Sequence, residues 1–584
     1  AYHVHMHDLD HTDRTDTSAP GYRLHLMSPT WTHSPSGPES SASPASPESP
    51  ASPASPSPLS GPHHLWRPLP PRTGELESLR REQPTRRTGS WTLIEAGDGV
   101  VRLTTDRTRS HHLLFTRAGD TWVISDDPQE LRRHAPAWVR DEQAAGVFLH
   151  AGFTPGTRTL AHEVYATPAG SVVELRPDGT WSCRSWETYR YDADPITSPQ
   201  EFAGVFRTAL DTAVERVLQD TDGRQLLVPL SGGLDSRLLA VWLKRHGARN
   251  VVTFTYGVPG STEVAISRGV AEALGMDWFT VDLDPAEVAR TWAGPDGVGF
   301  QKRTWGLTSL PHVQDWYALL RMRRDALIDT DAVFLPGHTI VGNMHDEHLL
   351  EGRPSRNDVL AAVARHHSLL QGDRNAWRHL PLLRRAVMQG AQEVSFPTRR
   401  NEDLAGSGRS IQELLEWVNL QERQAKYINE SLKAYEAFGY GWALPMLDTE
   451  LWRTWLRGSE ELTATRDWYA QFTAEAYAEA TGTASQLFEA PAARIPAGPR
   501  RLLMAALTVT GTRTALARAV SMRTMLHHPM AFEAFNAPMP RTEQIRRMAR
   551  GATSTGLWAR LFLEGAWGTE PVVPMSTGDT QDMS

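Results

Sequence analysis

Cysteine and lysine are scarce in this sequence of 584 residues. There is one cysteine, Cys183, and there are four lysines, Lys244, Lys302, Lys426 and Lys433. A single cysteine excludes an intramolecular disulfide and a cysteine-rich metal site. Arginine therefore carries most of the positive charge, and a reaction that needs a lysine has few candidates.

Long apolar runs and a strong net charge are also missing. No run of 18 apolar residues is present, which argues against a membrane-spanning helix. The first residues lack the charged-then-apolar order of a signal peptide. The formal net charge is −8, which creates no general attraction to nucleic acid. We expect a cytoplasmic protein that binds neither membranes nor nucleic acid.

The N-terminal part of the chain, residues 1–195, reads as one domain built mainly of strands. Residues 34–62 alternate Pro, Ser and Ala with almost nothing to bury, which predicts a disordered insertion. Between residues 89 and 190, short β-type segments are separated by Gly-Asp and Asp-Gly turns. Such spacing predicts an antiparallel sheet with small helices.

A different pattern begins at residue 200 and defines a second domain, residues 200–584. An amphipathic helical segment is followed by "QLLVPL", "SRLLAVWLKRH", "NVVTFTY", "STEVAISRGVAEAL" and "WFTVDL". Strands that alternate with helices predict a doubly wound parallel sheet. Beyond residue 400 the pattern is mostly helical, so the predicted fold class is α/β with a helical C-terminal part.

The stretch "SGGLDS", residues 231–236, lies where a buried strand passes into a helix. Small residues let backbone N–H groups approach phosphate oxygens, and the helix N-terminus adds partial positive charge. Asp235 beside bound phosphates implies a cation between them, most commonly Mg²⁺. The predicted ATP-binding residues of this turn are Leu230, Ser231, Gly232, Gly233, Asp235 and Ser236.

The motif matches the pyrophosphate loop, S-G-G-x-D-S, of the ATP pyrophosphatases. Together with residues 90–190, it resembles the asparagine synthetase family over roughly residues 85–455. That resemblance implies an N-terminal glutaminase-like α+β domain of the Ntn type, followed by an ATP pyrophosphatase domain that forms an acyl-adenylate. ATP and Mg²⁺ are the implied cofactors.

Glutamine hydrolysis is not expected, because the family's glutaminase needs an N-terminal cysteine. Residue 1 is alanine and Cys183 falls within a predicted strand. The amine that attacks the adenylate would then belong to the substrate itself. Residues 334–347, "FLPGHTIVGNMHDE", and 422–451, with "AYEAFG" and "LPMLD", are similar to the lasso peptide cyclases.

This likeness implies macrolactam formation on a core peptide that has lost its leader. An Asp or Glu side-chain carboxylate would be adenylated, and the peptide's N-terminal amine would close an isopeptide-bonded ring with release of AMP and pyrophosphate. Proximity of the two ends would supply much of the rate. The resemblance also implies a leader peptidase and a leader-recognition protein as partners.

Four further residues receive roles from the resemblance. Tyr256 is expected near adenine, and Gly337 lets the second loop pass close to the nucleotide. His338 could take the proton from the attacking amine, or could be structural. Glu436 could be its acidic partner, or a solvated charge at a helix end.

The sequence also departs from the family pattern. Where a second Mg²⁺ ligand is usual it has Val341, and Asp346 or Glu347 would have to replace that ligand. No lysine follows Lys433, although related synthetases use a C-terminal lysine. The arginines that could fill in are Arg494, Arg500 and Arg501.

These departures keep two alternatives open. One is cyclisation of a small amino acid derivative, as in the β-lactam synthetases. The other is a non-catalytic scaffold that binds peptides and retains a decayed ATP site, which is consistent with Val341 and with Gly441 in place of an acid.

Overall fold

The computed structural model describes residues 15–19, 21–34, 59, 61–69, 82–187, 189–342, 349, 354–396, 408–483, 513–568, 573 and 574, without the side chains of 15–19, 34 and 513–518. Among these residues no helix is both long enough and apolar enough to cross a membrane. The predicted insertion, 34–62, lies mostly outside the described residues.

Two sheets fill the N-terminal part of the chain. The first has the order β1-β2-β8-β7-β9, with one parallel pair, β2–β8, and the second, β11-β10-β6-β5-β4-β3, is antiparallel throughout. The strands are β1 (Thr15–Ala19), β2 (Tyr22–Leu26), β3 (Trp31–Ser34), β4 (His63–Trp66), β5 (Thr92–Gly97), β6 (Val100–Thr105), β7 (Leu114–Ala118), β8 (Thr121–Ser125), β9 (Tyr165–Ala166), β10 (Ser171–Leu175) and β11 (Trp181–Ser185).

Two connections show why these segments pair. Asp98 and Gly99 join β5 to β6 with φ values of 53° and 74°, the left-handed conformation that a tight two-residue hairpin requires. In β3 and β4, Ser34 pairs with His63. This pairing holds residues 34 and 63 side by side, although they are far apart in sequence.

The second part of the chain contains a five-stranded parallel sheet in the order β14-β13-β12-β15-β16. Its strands are β12 (Leu226–Pro229), β13 (Val251–Gly257), β14 (Asp277–Asp282), β15 (Val333–Phe334) and β16 (Gly441–Trp442). The chain steps outward from β12 to β14 on one side, and β15 and β16 lie on the other. This confirms the predicted α/β class with a parallel sheet.

Helices surround the sheets and form most of the C-terminal part. The α-helices are α1 (Pro128–His134), α2 (Glu142–Ala151), α3 (Pro199–Thr221), α4 (Leu234–Arg245), α5 (Thr262–Leu274), α6 (Pro285–Trp292), α7 (Pro295–Thr304), α8 (Trp316–Arg324), α9 (Arg356–His366), α10 (Pro381–Glu393), α11 (Gly408–Val418), α12 (Leu432–Ala437), α13 (Thr449–Trp455), α14 (Glu460–Thr463), α15 (Asp467–Thr481), α16 (Arg513–Leu526), α17 (Arg541–Ala549) and α18 (Ser554–Leu563). A π-helix, Asn419–Ile428, follows α11, and short 3₁₀ turns span Ala376–His379, Asn429–Ser431, Pro445–Leu447 and Phe532–Asn536.

The predicted helix boundaries follow local capping chemistry. Ser198 accepts a hydrogen bond from the Glu201 N–H at the start of α3, where Pro199 needs no N–H partner. Gly275 ends α5 in the left-handed conformation, at φ 65°. These local signals explain why the helical pattern could be located from the sequence.

The apolar core is continuous between the two parts of the chain. A single cluster of buried side chains includes Leu103 from β6 and Leu239 from α4. Trp66 and Trp442 lie with ring centroids 6.0 Å apart, on strands from different sheets. The division into domains at residues 195–200 stays a prediction.

Candidate functional site

The loop 231–236 links the central strand β12 to α4. Leu230 is buried, and its N–H donates to the Phe254 carbonyl 2.8 Å away. The Ser236 hydroxyl accepts from the Ser231 N–H at 3.2 Å, and the Ser231 hydroxyl accepts from the Gly233 N–H at 3.1 Å. The two serines therefore fold the loop back over the start of the helix.

The first turn of α4 is available to an anion. Gly233 is its N-cap residue and no described side chain caps the turn. An uncapped helix start presents unpaired N–H groups with partial positive charge. Gly233 and Ser231 are exposed, whereas the Gly232 N–H is occupied by the Glu263 carboxylate at 3.2 Å. The geometry suits phosphate binding.

Gly337 lies directly against this helix start. A Cβ added at Gly337 would lie 2.9 Å from the Ser236 backbone nitrogen and 3.2 Å from the Asp235 Cβ. Only glycine allows this approach. β12 and β15 are neighbouring parallel strands, and the strands that follow them lie on opposite sides of the pair. The loop after β12 and the loop after β15 therefore meet at the position where ligands bind in open α/β sheets.

Asp235 is paired with an arginine that the sequence reasoning missed. One carboxylate oxygen lies 2.5 Å from an Nη atom of Arg466. Burial raises the pKa of Asp235, and the Arg466 charge opposes that shift. The carboxylate already holds a cationic group in this structure, so the residues fit a site for Mg²⁺ when ATP is bound.

Tyr256 lies near the end of β13, as expected, but its hydroxyl points into a buried polar group. It donates to Asp315 at 2.5 Å, and Tyr435 donates to the other oxygen of the same carboxylate at 2.9 Å. Burial raises the pKa of both tyrosines well above the ordinary value, so they stay neutral donors. The role of Tyr256 beside adenine stays a prediction.

His338 follows Gly337 and faces the π-helix region. Its Nε2 lies 3.3 Å from the Ser431 hydroxyl. Burial, and then the nearby His312, lower the pKa of His338 to about 4. The imidazole is therefore neutral above about pH 5 and can accept a proton, which it would readily release.

Glu436 has different partners. Its Oε2 lies 2.8 Å from the Lys433 Nζ, and its Oε1 accepts from the Trp442 indole N–H at 3.0 Å. Both carboxylate oxygens are thus engaged with residues other than His338. The pairing of Glu436 with His338 stays a prediction that the observed contacts do not favour.

Lys433 extends this contact into the N-terminal sheets. Its Nζ lies 2.8 Å from the His111 Nδ1, and the His111 Nε2 lies 3.1 Å from Asp126. Asp126 also accepts from the Trp31 indole at 2.8 Å. We name the row Asp126–His111–Lys433–Glu436 the polar chain. It crosses between the two parts of the molecule beside a cleft of about 1860 Å³, part of which is open solvent.

The remaining sequence predictions fall into two groups. Cys183 lies in β11, as predicted, and burial raises the pKa of its thiol to about 12, which makes it a poor nucleophile. Five predicted residues and most of the segment 34–62 lie outside the described residues; the five are Asp346, Glu347, Arg494, Arg500 and Arg501. The proposed replacements for the second metal ligand and the lysine stay predictions.

Residues 205–298 match the family model for asparagine synthase. The matched segment contains β12, the loop 231–236 and α4, which supports an asparagine synthetase-like, ATP-binding domain here. It covers less than half of the chain.

Three curated relatives align with shorter segments. A 7-cyano-7-deazaguanine synthase from Psychrobacter sp. (strain PRwf-1) is 34% identical over 71 residues, 12% of this chain and 28% of its own length. An argininosuccinate synthase from the same organism is 34% identical over 71 residues, 12% and 17% of the two chains. A second 7-cyano-7-deazaguanine synthase, from Psychrobacter cryohalolentis, is 33% identical over 88 residues, 14% and 34%. The chain thus spans about a third or less of these relatives.

Proposed function

We propose that the protein is an ATP-dependent ligase that activates a carboxylate as its adenylate and converts it to an amide. The observation that carries this proposal is the contact of Gly337 with Asp235 and Ser236, where the loops after β12 and β15 meet above an uncapped helix. The asparagine synthase match over 205–298 supports the same chemistry.

The chain's own residues account for both bond changes. The N–H groups at the start of α4 and the hydroxyls of Ser231 and Ser236 would hold the phosphates, and Asp235 would hold Mg²⁺, which neutralises phosphate charge. A substrate carboxylate oxygen bonds to the α-phosphorus while pyrophosphate leaves. An amine then bonds to the acyl carbon, AMP leaves, and His338 takes the amine proton.

We infer that the substrate is a linear peptide closed through an isopeptide bond, as in lasso peptide formation. The likeness of 334–347 and 422–451 to lasso peptide cyclases supports this. The cleft beside the polar chain, which residues of both parts of the molecule line, is large enough for several peptide residues. Both peptide ends could then be held close together in one cleft.

The rest of the assignment follows the same resemblance. The N-terminal sheets would be a glutaminase-like domain of the Ntn type without glutaminase activity, which the high pKa of the Cys183 thiol supports. A leader peptidase and a leader-recognition protein would supply the peptide in the cytoplasm.

Mass spectrometry tests the proposal. The protein is incubated with ATP, Mg²⁺ and linear core peptides, with a small β-amino acid in a parallel reaction. We expect a peptide product lighter by one water, with equal amounts of AMP and pyrophosphate. Product from the small substrate alone would favour β-lactam-type cyclisation, and no product from either would favour the scaffold alternative.

A further inference from the structure

Arg466 directly contacts the loop 231–236, which we call the phosphate loop. Its Nη2 atom lies 2.5 Å from Asp235 Oδ1, and the side chains of Arg466 and Asp235 keep 26% and 24% of their surface exposed. Its Nε is buried and makes no hydrogen bond with the described residues. The guanidinium therefore has one donor, the Nε–H, that the described residues leave unused.

Helix packing holds Arg466 in this position. The residue directly precedes α15, and its guanidinium lies over the Tyr469 ring, 5.2 Å from the centroid. Further along α15, Phe472 stacks on Trp242 of α4 at 5.8 Å. Because α15 packs along the helix that carries the phosphate loop, its first residues stay beside Asp235.

Three of the four lysines make hydrogen bonds away from the phosphate loop, and the fourth lies on the surface. Lys244 donates to the Leu274 carbonyl and Lys426 to two carbonyls and Glu422, each within 2.8 Å. Lys433 belongs to the polar chain, and Lys302 is exposed on α7. Positive charge for a polyphosphate must then come from an arginine, and Arg466 already borders the site.

We propose that Arg466 is the phosphate-binding cation of this enzyme and exchanges partners during the reaction. This inference rests on the proposed ATP-dependent function. Without nucleotide, the guanidinium neutralises Asp235. With ATP bound, Asp235 would hold Mg²⁺, and Arg466 would then turn its fork of donors to the phosphate oxygens and stabilise the departing pyrophosphate.

Nucleotide binding by calorimetry tests this role with the full chain. We expect Arg466→Met to weaken MgATP binding about ten- to a hundredfold, since hydrogen bonds to charged groups contribute about 1.5–3 kcal/mol. AMP binding, which involves no β- or γ-phosphate, should change less than about twofold. Arg466→Lys keeps the charge but loses the fork, so we expect an intermediate loss for MgATP.

Arg207→Met is the matched control, because Arg207 forms a two-pronged ion pair with Glu479 on the same helix α15. It should leave MgATP affinity unchanged. Unchanged MgATP affinity in Arg466→Met, or an equal loss for ATP and AMP, would overturn the inference. If Arg466→Met does not fold, wild-type affinity in Arg466→Lys would overturn it. Failure of the wild-type protein to bind MgATP would instead refute the proposed function.

Discussion

The phosphate loop and the polar chain both contain many polar groups. They differ in how far other protein groups supply the hydrogen-bond partners. In the loop, no side-chain cap closes the start of α4, and the Arg466 Nε makes no hydrogen bond with the described residues. In the polar chain, Lys433 contacts both His111 and Glu436. The second oxygen of Glu436 accepts a hydrogen bond from the Trp442 indole. A buried polar group without a partner is costly, and a bound ligand can supply the missing partner.

The two regions therefore have different expected roles: one binds a ligand and the other stabilises the fold. The loop is ready for an anion, whereas the polar chain is satisfied by the protein and joins the N-terminal sheets to α12. Changes in the loop should therefore remove activity and spare the fold. Changes in the polar chain should reduce stability first.

The largest effect is expected for Asp235→Asn. The amide keeps the shape of the side chain but removes the charge that would hold Mg²⁺, so we expect AMP formation to fall about 100- to 1000-fold. Coupled detection of pyrophosphate measures it. Glu475→Gln on the exposed face of α15 is the control. A fully active Asp235→Asn protein that still folds would contradict the assignment of the loop.

Gly337→Ala tests the contact between the two loops. The added Cβ would lie 2.9 Å from the Ser236 nitrogen, so the loops must separate. Overpacking of about 1–3 kcal/mol predicts MgATP binding weakened about tenfold or more. Gly204→Ala, where nothing lies within 4 Å of the added atom, is the control. Equal MgATP binding by the two variants would show that the loop containing Gly337 is not part of the nucleotide site.

Much of this arrangement could be predicted from the sequence because its signals are local. Strand–helix alternation located the parallel sheet, and Asp-Gly turns located the hairpins of the first sheets. The loop 231–236 combines small residues with an acid at a strand–helix junction. Each of these signals lies within a few residues of the element that it defines.

The parts that could not be predicted depend on contacts between distant segments. Arg466 reaches Asp235 across 231 positions, and Lys433 reaches His111 across 322. Helix packing decides such contacts, and periodicity within one helix does not reveal them. For the same reason the sequence could not show that Glu436 contacts Lys433 and Trp442. The scarcity of lysine was the one signal that could have directed attention to arginine.

Lys433→Met tests the polar chain. Loss of the ammonium leaves Glu436 and His111 without their partner, so we expect the free energy of unfolding to fall by about 2 kcal/mol, less than for a fully buried pair. Urea unfolding measures it, with exposed Lys302→Met as the control. The affinity for MgATP should not change. A large loss of MgATP affinity with normal stability would show that the polar chain takes part in ligand binding.

The smallest effect concerns Glu430, which lies close to the polar chain. Burial, opposed by Lys433, raises the pKa of Glu430 to about 8 from the ordinary 4.5. A raised pKa in the folded state contributes stability below pH 4.5 that is lost as pH rises through 8.

Glu430→Gln removes this ionisation. We expect the variant to melt at a higher temperature than the wild type at pH 8.5 and at nearly the same temperature at pH 5. Scanning calorimetry at both values measures the difference, with exposed Glu475→Gln as the control. An identical shift at both pH values would show that the ionisation of Glu430 is not responsible.

Phosphorus NMR of the nucleotide products shows directly which phosphorus of ATP is attacked. With Mg²⁺, ATP and a carboxylate substrate that is turned over, we expect signals of AMP and pyrophosphate in equal amounts and no ADP. Formation of ADP and phosphate would contradict it, because attack would then occur at the γ-phosphorus, and the loop 231–236 would not perform adenylation.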